Sequence, residues 1–107
     1  MITDSDVERA LDYLRDNASA DAQARANVEY AREWMKVVLA QETVANAGMS
    51  NAAATALAMT TVAYRGALDA LKEAVAEDSR RRFMREAAAA KIDAWRTQSS
   101  NERAGRL

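Results

Sequence analysis

The chain has no cysteine, no histidine and no proline, and only three glycines in 107 residues. Each absence excludes something. Without cysteine there is no disulfide framework, no zinc-thiolate site and no thiol nucleophile. Without histidine the commonest general base and metal ligand is missing. Without proline, and with glycine at only Gly48, Gly66 and Gly105, there is little to build tight turns from and no glycine-rich phosphate loop. No apolar run approaches the roughly 18–20 residues that a membrane span needs. The start, Met1-Ile2-Thr3-Asp4-Ser5, lacks the basic and apolar segments of a signal peptide. These absences predict a soluble cytoplasmic protein with no membrane partner.

What is present is alanine, 26 residues of it. Alanine is the best helix former, and no alternating β-branched run competes with it. The spacing predicts an all-α chain in one domain, residues 1–107. A first helix over 5–17 opens on a capping box, Ser5 with Glu8, and carries Val7, Ala10, Leu11 and Leu14 on one stripe beside Tyr13. Asn17-Ala18-Ser19 reads as a break. A second helix over 20–46, about 40 Å long, repeats Ala24, Val28, Ala31, Met35 and Val38 at the spacing of a coiled-coil seam. Tyr30, Trp34, Val37 and Gln41 form a second stripe. Arg25 with Glu29, Glu29 with Arg32, and Glu33 with Lys36 stand at pairing distance.

Residues 46–51 read as a loop, with Gly48 able to take a left-handed conformation and Ser50 or Asn51 able to cap the next helix. A short helix over 51–59 follows. Thr60 or Thr61 can cap a long one over 62–98, on the order of 55 Å. Its expected apolar stripe is Tyr64, Leu68, Leu71, Val75, Phe83, Ala87, Ala90 and Ala94, with Met84 and Trp95 alongside. Residues 99–107 read as a fraying polar tail. The expected fold is an elongated antiparallel hairpin or bundle of three to four helices, two of them long. Alanine seams bury little area, so a second chain is expected to close the exposed stripe. The seam residues for core or oligomer are Val28, Met35, Val38, Leu68, Leu71, Val75, Phe83 and Trp95. Met35, Met59 and Met84 suit gap-filling.

The chemistry is sparse. Glu29 with Glu33 and Glu73 with Glu77 stand one turn apart, but helical-bundle metal sites add a histidine three residues on, so no metal and no cofactor are expected and the chain reads as a non-enzyme. Charge is asymmetric. Residues 1–77 carry twelve acidic and seven basic side chains, residues 78–107 four and eight. At 100° per residue, Arg81, Arg85 and Arg96 fall within about 60° of one another with Arg82 beside them, opposite Phe83 and Ala87. Arg103 and Arg106 extend the group. Arginine's planar fork suits phosphate, so this stripe is the candidate contact to nucleic acid or to another partner. A plainer reading is a solvated face balanced by Glu86 and Asp93. Trp34 and Trp95 could stack on bases; Trp95, beside the apolar face, reads better as core, and Lys91 as a snorkelling side chain.

The segment Ala90-Lys91-Ile92-Asp93-Ala94-Trp95-Arg96-Thr97-Gln98-Ser99-Ser100-Asn101, with Tyr64, Leu68, Leu71, Lys72 and Ala74 upstream, resembles the C-terminal signature of small helical proteins encoded by phages and prophages of proteobacteria. The resemblance covers about thirty-five residues at the C-terminus. It implies a phage origin, a bacterial host cell and a place near recombination and single-strand-binding functions, and it carries no catalytic residue. Three roles follow as expectations. One is a DNA-associated accessory protein of phage recombination or replication, acting through Arg81, Arg82, Arg85 and Arg96. Another is an inhibitor of a host defence complex such as a CRISPR effector. The last is a virion or assembly component. Association of the chain with itself, as a dimer or higher oligomer, is also expected.

Overall fold

The computed structural model describes residues 1–106; of the expected tail, Leu107 lies outside the described residues. Three helices, α1 (Asp4–Val44), α2 (Asn51–Ala58) and α3 (Val62–Gly105), account for nearly all of them, with no strand among the described residues. The all-α expectation agrees with this. Two of the expected boundaries do not. The break at Asn17 is absent, because the Asn17 side-chain amide donates to the Tyr13 carbonyl at 2.9 Å. A residue that could compete with the backbone instead bonds back along the helix, and α1 runs on for 41 residues. The tail is also helical as far as Gly105.

Each helix end has a local cause. At the start of α1 the Thr3 backbone N–H donates to Asp6 Oδ2 (2.9 Å) and the Asp6 N–H donates to Thr3 Oγ1 (3.1 Å). This is a capping box two residues earlier than Ser5 and Glu8 would make it. The Thr3 N–H, and after it the Arg9 guanidinium at 2.6 Å, hold the Asp6 carboxyl at about 2 instead of 3.8. A depressed folded-state pKa contributes stability above the unfolded value and loses it as pH falls through the folded one. The first turn is therefore expected to be intact from neutral pH to about 4 and to fray between about 4 and 2. Carboxyl NMR titration of Asp6 should show that low midpoint. Thr3→Ala should raise it and lower stability by about 1 kcal/mol; an Asp6 midpoint near 4 in the parent chain would remove the box.

The end of α1 tightens instead of turning left-handed. Asn46, Ala47 and Met49 donate to Thr43, Val44 and Asn46 in successive three-residue turns, and no described glycine has positive φ. Ser50 caps α2, accepting from the Ala53 N–H. Thr61 caps α3, accepting from the Tyr64 N–H. Both agree with the sequence reading.

The chain forms two compact units. The first comprises Met1–Ala22 and the segment from Ser79 onward, the second Gln23–Asp78. In the first unit the helix segments run antiparallel: Ile2 bonds to Gln98, Asp4 to Trp95 and Asp21 to Arg81. Complementary charge favours this pairing. Residues 1–22 carry six acidic and two basic side chains, residues 79–107 three and eight. The inward positions recur at alternating three and four residues, as in a coiled coil. From α1 come Val7, Ala10, Leu14, Asn17 and Asp21, and from α3 Arg81, Arg85, Ala88, Ile92 and Trp95.

The second unit follows the same spacing, with Ala24, Val28, Ala31, Met35 and Val38 against Tyr64, Ala67, Leu71 and Ala74. α2 adds Ala54 and Ala58. The core is mostly alanine and valine, and no side chain larger than alanine is completely buried among the described residues.

Candidate functional site

Of the eight expected seam residues, Val28 and Val38 are buried and Met35, Leu71 and Trp95 half-buried. Leu68, Val75 and Phe83 are not in the core of the chain: they are 47%, 38% and 62% exposed. The inward face of α3 takes Ala67, Ala74 and Ala88 instead. Small side chains let two backbones approach, and the bulkier ones are left one position round the helix.

The same rotation relocates the arginines. Arg81 and Arg85 point into the helix pair, and only Arg82 and Arg96 stay on the outside. Asp21, the one buried charged residue among those described, lies opposite. Arg81 Nη1 donates to Asp21 Oδ1 at 3.3 Å. Arg85 Nη1 stands 3.3 Å from Asp21 Oδ2, close enough for an ion pair though not aligned as a hydrogen bond. The carboxylate side chain is 8% exposed, against 21% for Arg81 and 36% for Arg85. The result is a charged layer in the seam, one carboxylate between two guanidinium groups.

The sequence carried a signal for this layer. Extending the seam backward from Ala24 at alternating three and four residues lands on Asp21, Asn17, Leu14, Ala10 and Val7. A carboxylate at a seam position requires a cation across from it.

The outer side of α3 in this unit remains cationic. Arg82, Arg96 and Arg103 are exposed and separated by fourteen and seven residues, so they share one side of the helix. Their carboxylate neighbours are loose: Arg82 Nε lies 3.9 Å from Glu86, and Arg96 Nη1 3.6 Å from Asp93. The Arg82 guanidinium stands 5.5 Å from the centroid of the exposed Phe83 ring, within cation–π range. Of the acidic residues in the facing α1 segment, Asp6 is engaged within its own helix by Arg9, and Asp12 and Asp16 by Arg15.

At the end of this unit, Gln98 clamps the N-terminal backbone. Its side-chain carbonyl accepts from the Ile2 N–H (3.3 Å) while its amide donates to the Ile2 carbonyl (3.1 Å). Trp95 Nε1 donates to Asp4 Oδ1 at 3.0 Å, so this tryptophan is held between the two helix segments. Lys91 lines a cavity of about 260 Å³ with Tyr13, Met84 and Ala88.

In the second unit Glu29 pairs with Arg32 and Glu33 with Lys36, each at 3.0 Å. Trp34 and Tyr30 face outward, 43% and 71% exposed. No cluster of three acidic side chains able to hold a metal forms among the described residues, and no helix is long and apolar enough to cross a membrane. No family model, curated protein or solved structure matches the chain.

Proposed function

We propose that this chain is a non-enzymatic accessory protein of phage type that acts in the host cytoplasm. It binds nucleic acid, or a complex that handles nucleic acid in recombination or replication, through the outer side of α3. Copies of the chain associate with one another. The observation that carries the binding surface is the line of exposed Arg82, Arg96 and Arg103 along α3, with the exposed Phe83 ring against the Arg82 guanidinium at its edge. Guanidinium groups about 21 and 10 Å apart along the helix contact well-separated phosphates of one backbone, and an exposed ring beside one of them stacks on an unpaired base. Arg81 and Arg85 belong to the supporting layer, since Asp21 occupies the positions where a phosphate would bind.

Titration of labelled single- and double-stranded DNA at about 50 and 200 mM salt tests this. The variant combining Arg82→Ala, Arg96→Ala and Arg103→Ala should lose about ten- to a hundredfold in affinity at the lower salt. Its log–log salt slope should shrink by about 2–3. Phe83→Ala should weaken single-strand binding by at least about fivefold and leave duplex binding unchanged. Equal affinity of the parent and the triple variant would remove the nucleic-acid reading.

A second reading rests on Tyr30, Trp34 and Val37. They are exposed at one-turn spacing with no charge among them, and tryptophan and tyrosine are the side chains that most often anchor protein interfaces. Here the partner is a host protein, such as a defence complex that the chain inhibits. A stoichiometric host protein retained by the parent chain and lost with Trp34→Ala would favour it.

A further inference from the structure

We propose that a second copy of this chain seats on the groove between α1 and α3 in the second unit. The two copies are related by a two-fold axis passing between Arg32 and Glu33 on α1 and between Leu68 and Leu71 on α3. This gives a surface to the self-association proposed above and is independent of the nucleic-acid reading.

The groove is open and about 430 Å³ in volume. Its apolar side chains are Met35, Leu39, Tyr64 and Leu71, all half-buried. Leu68 and Val75, one turn from Leu71 on either side, continue the apolar strip and are 47% and 38% exposed. The α1 rim consists of Glu29, Arg32, Glu33 and Lys36, already joined in two ion pairs along the helix.

What selects the occupant is the order of these residues. Reversing α1 about the point between Arg32 and Glu33 sets Glu29 against Lys36 of the second copy, and Arg32 against Glu33 of the second copy. Every charge meets its opposite, and the existing pairs become networks of four. Reversing α3 between Leu68 and Leu71 sets Leu68 against Leu71 of the second copy and Tyr64 against Val75 of the second copy, so every apolar side chain meets another.

Both centres fall within the span of the one groove, between Glu29 and Leu39 on α1 and between Tyr64 and Leu71 on α3. Two unlike patterns on two helices thus share a single symmetry operation. That is what an isologous interface requires, since the same patch serves both subunits. Charge order of this kind sets pairing and orientation more than affinity, while burial of the leucines supplies the affinity.

Sedimentation equilibrium of the full chain should show a dimer. Leu68→Asp should raise the dissociation constant by about a hundredfold or more, because the change enters the interface twice. Helicity should not change, since Leu68 is exposed in the single chain. Lys36→Glu and Glu29→Lys should each weaken the dimer about tenfold by opposing like charges, and the two together should restore it to within about threefold. A monomeric parent overturns both this interface and self-association. A dimer that survives Leu68→Asp but is dispersed by Trp34→Asp places the contact on the other stripe; it overturns this interface and leaves self-association standing. Failure of the combined charge exchange to restore a dimer weakened by each single change overturns the two-fold arrangement.

Discussion

Asp21→Ala is expected to lower the melting temperature by about 10–20 °C, read from helical ellipticity. The substitution removes the buried carboxylate from between Arg81 and Arg85, which stand one turn apart on α3 and face the seam. Removing one member of a buried ion pair costs about 3–5 kcal/mol, mostly because the other charge stays desolvated. Both arginines keep a path to water, at 21% and 36% exposure, so a figure of about 2–3 kcal/mol is appropriate here. A chain of this size has about 5–15 kcal/mol in total, and each 1 kcal/mol moves the midpoint by about 4–8 °C.

Replacing the whole layer should act differently. Asp21→Leu with Arg81→Leu and Arg85→Leu removes the desolvation cost and should match or exceed the parent in stability, by up to about 4 kcal/mol. Specificity should suffer instead. A slip by one seven-residue repeat parts the Asp21 carboxylate from both guanidinium groups, so the charged layer penalises the wrong register. Doubled or broadened amide resonances in the triple variant would report that loss. An Asp21→Ala midpoint within about 3 °C of the parent would mean that the arginines are fully solvated and that the layer carries no energetic weight.

Ala58→Leu should have the next largest effect. Ala58 is completely covered and Ala54 is 3% exposed, so the eight-residue α2 docks through two methyl groups in close approach. Adding three carbons there overpacks the contact at a cost of about 1–3 kcal/mol. A helix this short depends on packing for its helicity, so the strain should be relieved by undocking of α2. Hydrogen exchange of its amides should accelerate by about ten- to a hundredfold while α1 and α3 keep their protection. Ala56→Leu, on the exposed side, should be within about 0.5 kcal/mol of the parent. Unchanged exchange in Ala58→Leu would show that α2 has slack in its contact.

Helix caps and the seam of the second unit were legible because their signals are local. Ser50 and Thr61 lie three residues before the amides they accept from, and Ala24, Val28, Ala31, Met35 and Val38 repeat without interruption. The first capping box was misplaced because Thr3 with Asp6 and Ser5 with Glu8 satisfy the same spacing. Bulk does not mark the inward face of α3. Leu68, Val75 and Phe83 have the greater apolar area, yet Ala67, Ala74 and Ala88 occupy the seam.

Helicity, and the absence of histidine- or thiolate-based chemistry, followed from composition alone, since propensity and the inventory of reactive groups belong to single residues. Which arginines face outward was decided only by tertiary structure. Arg81, Arg82 and Arg85 look alike on an isolated helix. The difference comes from Asp21, sixty residues from Arg81, whose carboxylate makes a seam position acceptable for a guanidinium that would otherwise be too costly to bury.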